Sequence, residues 1–80
     1  MFDVPVVHLE GSVFFNCQIG GRAHRIQVTR DCLTKVFSSD GSEEGNEVSF
    51  RENAEPILRA AADKVRRGAL STIQLTPGDF

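Results

Sequence analysis

The chain has 80 residues, 40% of them hydrophobic and 25% charged, with a formal net charge of −2. That length holds one small domain, residues 1–80, and leaves little room for a second. The composition excludes general disorder, and the charge balance gives no general electrostatic reason to expect nucleic acid as a partner.

No apolar run approaches the roughly 20 residues that a membrane-spanning helix needs. No basic start leads into an apolar run with a small-residue cleavage site. Two cysteines, Cys17 and Cys32, are fewer than a secreted disulfide scaffold usually carries. The reading is a soluble cytoplasmic protein with reduced thiols, no membrane contact and no cofactor.

Residues 3–9 are rich in β-branched side chains and read as a first strand. Pro5 cannot donate a ladder hydrogen bond, so this strand belongs at a sheet edge, or Pro5 at its start. Two hairpin loops compete next. A three-residue loop, Glu10 to Ser12, sets Leu9 opposite Val13 and Val7 opposite Phe15, all in the core. A two-residue Gly11-Ser12 loop sets Leu9 beside Phe14 on the outer face. The first buries more apolar surface and is preferred.

Val13 to Ile19 is a second strand and Arg22 to Val28 a third. Gly20-Gly21 joins them, because two glycines accept the positive φ angles of a tight hairpin. Counting from that turn pairs Ile19 with Arg22, Cys17 with His24, Phe15 with Ile26 and Val13 with Val28 on a mostly apolar face. Phe14 with Gln27, Asn16 with Arg25 and Gln18 with Ala23 then form a mostly polar face. A one-residue slip would mix the two sets.

Thr29 is placed to cap a helix over Arg30 to Phe37, with Leu33, Val36 and Phe37 on one side. Residues 38–47 are polar, acidic and glycine-containing, and read as a mobile loop. Apolar residues then recur at Phe50, Ala54, Ile57, Leu58, Ala61, Ala62 and Val65, the stripe of an amphipathic helix. Ser49 to Glu52 fits a capping box. Asn53 is an alternative cap, which would put Pro56 in the first turn, where no amide donor is required. The helix is expected to reach Arg67, bent or restarted near Asn53, and to stop at Gly68. Leu70 to Thr76 is a last strand, ended by Pro77-Gly78. The fold class is α+β, a small antiparallel sheet packed by a short helix and one long amphipathic helix.

Several stretches carry a further likeness. Val13-Phe14-Phe15 is followed by Gly20-Gly21-Arg22 and Ile26-Gln27-Val28-Thr29-Arg30-Asp31-Cys32-Leu33. Phe50-Arg51-Glu52-Asn53 and Ile57 come next, then Ile73-Gln74-Leu75-Thr76 and Asp79-Phe80. In this order and spacing, residues 9–80 resemble the small proteobacterial family catalogued as domain of unknown function 1488. The resemblance implies a compact α+β domain and brings no activity, cofactor or catalytic residue. Pro56 and the 38–47 connection depart from the family's uninterrupted helix and shorter loop.

Candidate sites are few. Cys17 opposite His24 pairs a thiol with an imidazole, the minimum for an activated nucleophile. The bland alternative is a small buried Cys beside a half-exposed His near a hairpin end. Cys17, Cys32, His8 and His24 lack zinc-ligand spacing, and a Cys17–Cys32 disulfide does not suit a reducing cytoplasm. Arg22, Arg25, Arg30 and Lys35, or Lys64, Arg66 and Arg67, could form basic patches. The competing reading is a solvated face and cations at a helix end. Asp40, Glu43, Glu44 and Glu47 lack the ligand alternation of a calcium loop. Phe14, Asn16, Arg25 and Gln27 on the polar sheet face, with Phe2 and Phe80 near the termini, are the best candidates for a contact with a protein partner or a second copy. A non-catalytic interaction module is therefore the leading expectation. A nucleic-acid-binding regulator using the third-strand arginines is the alternative.

Overall fold

A computed structural model describes residues 4–68 and 72–80. Phe2 and Leu70, both invoked above, lie outside them. The architecture is α+β. Strands β1 (Val7–Leu9), β2 (Ser12–Ile19), β3 (Arg22–Val28) and β4 (Thr72–Leu75) form one sheet in the order β1-β2-β3-β4. Two helices, α1 (Glu43–Glu52) and α2 (Ala54–Arg66), lie between β3 and β4 in sequence.

The β2–β3 register is the one counted from Gly20-Gly21, from Val13 opposite Val28 to Ile19 opposite Arg22. Both glycines take positive φ, 61° and 82°. Val13, Phe15, Ile26 and Val28 are buried on the inner face, with Ile73 and Leu75 from β4 beside them.

The last pairing departs from a wholly antiparallel sheet. β4 runs parallel to β3, with Arg25 beside Thr72 and Val28 beside Leu75. A parallel neighbour needs a long crossover, and α1 and α2 provide it. Side-chain alternation is the same for either strand direction, so the sequence pattern carries no signal for this choice.

The first hairpin also differs. Its loop is Glu10-Gly11, with φ of 52° and 83°, and it sets Leu9 opposite Ser12 and Val7 opposite Phe14. Val7 and Leu9 therefore point outward, and His8 takes the inner side. Polar bonds to α1 favour this register. The Asn46 side-chain amide donates to the Gly11 carbonyl at 3.1 Å, and His8 Nε2 lies 2.9 Å from Glu47 Oε1. Val4 and Val6 supply the apolar contact with the core instead.

After β3, the Thr29 hydroxyl accepts from the Cys32 amide as a cap should. The turn that follows widens, with a π-helical stretch over Cys32–Val36 closed by the Phe37 amide on the Cys32 carbonyl. The widening buries Cys32 as well as Leu33 and leaves Val36 and Phe37 packed on the core edge.

The expected loop at 38–47 is shorter than its composition implies. Ser42 caps α1, its hydroxyl accepting from the Gly45 amide at 2.9 Å, and Glu43 and Glu44 occupy the first turn, where carboxylates suit the dipole. The capping box at Ser49 does not form, because Ser49 lies inside α1 with its hydroxyl directed at the Phe37 carbonyl. Asn46 and Ser49 are the buried residues of the early turns, so the apolar stripe begins only at Phe50.

The restart at Asn53 is as the Pro56 position implies. Asn53 separates α1 from α2, and Pro56 falls in the first turn of α2. Phe50, Ile57 and Ala61 are fully buried, and Leu58 and Val65 pack against the same core. The Phe50 ring tilts onto Phe15 at 4.9 Å between centroids, which joins the helix stripe to the inner sheet face.

Candidate surface site

The pleat that buries one face of the sheet sends alternate side chains to the other. On β2 and β3 these are Phe14, Asn16, Arg25 and Gln27, brought together in the expected register. Val7 and Leu9 join them from β1, 52% and 58% exposed, with Val7 directly opposite Phe14. The Arg25 guanidinium lies over the Phe14 ring at 5.1 Å from its centroid, a cation–π contact. Gln27 donates to the Ser12 hydroxyl at 3.2 Å. Gln18, Ala23, Thr72 and Gln74 complete the face, so Arg25 is its only charged side chain among the described residues.

Neither helix covers this surface, since both pack on the inner side. The outer contribution of β1 was missed because it depends on a hairpin loop that the apolar pattern alone resolved differently.

The two sheet edges are less open than the face. Lys64 Nζ donates to the Gln74 carbonyl on β4 at 2.6 Å, and Arg51 Nη2 donates to the Val4 carbonyl ahead of β1 at 3.2 Å. The Leu75 carbonyl accepts from the Thr29 amide, so the Gln74 carbonyl one residue earlier faces away from β3. A cation on an outward carbonyl, and Pro5 before a three-residue strand, oppose the addition of another strand.

Cys17 does face His24. The pair lacks the link an activated thiol requires. Both His24 ring nitrogens are buried without a hydrogen-bond partner, and Cys17 Sγ donates to the Gln18 carbonyl at 3.7 Å. Burial pushes the Cys17 thiol up, away from the thiolate. Cys32 is fully buried, and burial with the nearby Asp79 charge pushes its thiol up to about 11. Both cysteines are free thiols. The described residues contain no group of three or more His, Cys, Asp or Glu placed to hold a metal ion, so the four residues weighed for zinc do not converge.

The basic residues disperse. Arg25 is on the outer face, Arg22 is at the hairpin end in register with the inner set, and Arg30 packs over Gly11. Lys64 is held by Asp79 at 3.0 Å, while Arg66 and Arg67 both reach Asp63. The acidic residues have local work. Asp40 accepts from the Ser42 hydroxyl and amide, which hold its carboxyl below the usual value. Glu47 bonds His8 and Arg51, and these two donors lower its carboxyl in the same way. Phe80 makes an edge contact with Phe37 at 5.1 Å, beside an open groove of about 560 Å³ along α2. It is remote from Phe14, so the two aromatics do not form one patch.

No helix among the described residues is long and apolar enough to cross a membrane. No family model, curated protein or solved structure matches the chain.

Proposed function

We propose that the protein is a non-catalytic interaction module that binds a protein partner, another protein or a second copy of itself, through the outer face of its sheet. The observation that carries this reading is the composition of that face. It joins the exposed Val7 and Leu9 to a Phe14–Arg25 stack, and Arg25 is the one charged side chain on that face among the described residues of a chain that is 25% charged. Depletion of Lys, Asp and Glu with retention of aromatic and Arg is the compositional mark of an interface centre. The blunted edges support docking across the face over strand addition. A cytoplasmic setting and kinship with the domain of unknown function 1488 family belong to the same proposal and assign no chemistry.

A photo-activated cross-linking residue at Asn16, compared with one at Arg59 on α2, tests the reading inside the cells that make the protein. Protein adducts are expected from position 16, absent from position 59, and lost when Leu9→Glu is added. Equal adducts at both positions, or none at 16, would overturn it.

The alternative, a nucleic-acid-binding regulator, has the Arg25–Phe14 stack in its favour, since bases stack on such platforms. It loses the continuous basic stripe that phosphate tracking needs, because Arg22 and Arg30 leave the face. Salt-sensitive retention on single-stranded nucleic acid, abolished by Phe14→Ala, would restore it.

A further inference from the structure

Among the described residues, four large apolar side chains are exposed: Val7, Leu9, Val48 and Phe80. The first two lie on the outer sheet face. Val48 lies on the other side of the domain, on the solvent side of α1, whose opposite side buries Asn46, Ser49 and Phe50. Glu44 and Glu52 flank Val48 at four-residue spacing and so share its stripe. Neither has an ion-pair partner among the described residues, and neither does Arg25 on the sheet face. The molecule thus has an apolar patch beside one unpaired cation on one side. It has an exposed apolar residue between unpaired carboxylates on the other.

The dimensions agree. Val7, Leu9 and Phe14 occupy two adjacent strands about 4.8 Å apart, which with their side chains is close to the roughly 10 Å breadth of one helix. Arg25, on the next strand, flanks that track. We propose that the partner of the sheet face is a second copy of this chain, which docks the Val48 side of α1 on Val7, Leu9 and Phe14 with Glu44 toward Arg25. This rests on the reading of the sheet face as an interaction surface and names its occupant. The two patches lie on opposite sides of one domain, so the contact is head-to-tail and does not close on itself at two copies. A ten-residue helix about 15 Å long covers less than the roughly 1,200 Å² of a stable specific interface. The association is therefore weak and driven by concentration.

Sedimentation of the whole chain from micromolar to millimolar concentration tests it. The mean mass is expected to rise without levelling at a dimer, and to fall as salt is added. Phe14→Glu and Val48→Glu should each remain monomeric. Mixed, they should form a dimer and nothing larger, because one variant keeps only its helix side and the other only its sheet face. Arg25→Glu and Glu44→Arg provide a second measurement at exposed positions, each weakening association several-fold and restoring it when mixed. Association that stops at two and survives Val48→Glu is a face-to-face dimer. It would overturn the head-to-tail contact while leaving the sheet face as the interaction surface. A monomer at every concentration would overturn the self-contact and leave the cross-linking at Asn16 to decide the broader reading.

Discussion

The two faces of this sheet share the same strands and differ by one residue in register, yet only one has been closed. The inner face meets Phe50, Ile57 and Ala61 and excludes water from Val13, Ile26, Val28 and Leu75. The outer face holds Phe14, Val7 and Leu9 against solvent, with the Arg25 guanidinium as the only charged neighbour among the described residues. Burial on the first stabilises the fold. Apolar area on the second contributes little to folding and is available for association. The difference teaches that an aromatic residue in a strand has no fixed role, since Phe15 is core and Phe14 is surface by pleat alone.

The largest effect should come from cutting into the closed face. Phe50→Ala should cost about 3–5 kcal/mol by removing a buried ring and leaving a cavity. Phe14→Ala should cost roughly 1 kcal/mol or less, as a half-exposed position does. Urea denaturation of both variants checks the pair. Equal losses would break the comparison, because they would mean that the outer face is also structural.

The polar tie between α1 and the first hairpin should come next. Asn46 is 1% exposed and bonds both the Gly11 carbonyl and the Ser39 hydroxyl. Asn46→Ala removes the donor to the Gly11 carbonyl and the acceptor of the Ser39 hydroxyl, and should cost about 1–3 kcal/mol. Faster amide exchange around the Glu10-Gly11 turn should accompany it, since this bond helps hold Val7 and Leu9 outward.

Acid should loosen the same scaffold. Burial alone would raise the Asp79 carboxyl, but the Thr76 amide and Lys64 outweigh it and hold it below its usual value. Glu47 is lowered by His8 and Arg51. A lowered carboxyl stabilises the fold fully above its unfolded value, about 4 for Asp and Glu. That stability is lost as pH falls from there through the folded value. Stability should therefore decline below about pH 4, measured as a falling midpoint in thermal melts. Asp79→Asn should flatten that decline while costing roughly 1–2 kcal/mol at neutral pH. An unchanged acid limb would remove Asp79 from the account.

The smallest effect belongs to Pro56. It occupies the first turn of α2, where its missing amide has no intrahelical role. Pro56→Ala should change stability by about 0.5 kcal/mol or less, a null result that thermal denaturation can verify.

Much of the closed face was legible because it rests on local, repetitive chemistry. Gly20-Gly21 tolerates the turn, and the alternation on either side then sets the β2–β3 register. The stripe from Phe50 to Val65 marks its own buried side, and Pro56 marks the restart. The outer-face candidates Phe14, Asn16, Arg25 and Gln27 followed from the same count. Less legible were the features held by polar contacts between distant segments. Val7 and Leu9 became surface through the bond of His8 to Glu47 and of Asn46 to Gly11, which span 39 and 35 residues. The start of α1 was hidden because Asn46 and Ser49, not apolar residues, face the protein there.

By itself, then, the sequence determined the α+β composition of elements, one hairpin register and the stripe that forms the core, since each depends on neighbours within a few residues. Only the tertiary structure decided the parallel direction of β4, the outward turn of β1 and the Lys64 cation on the β4 edge. Those choices depend on where two helices return the chain beneath the sheet. No periodicity within a segment records the position of a partner forty residues away.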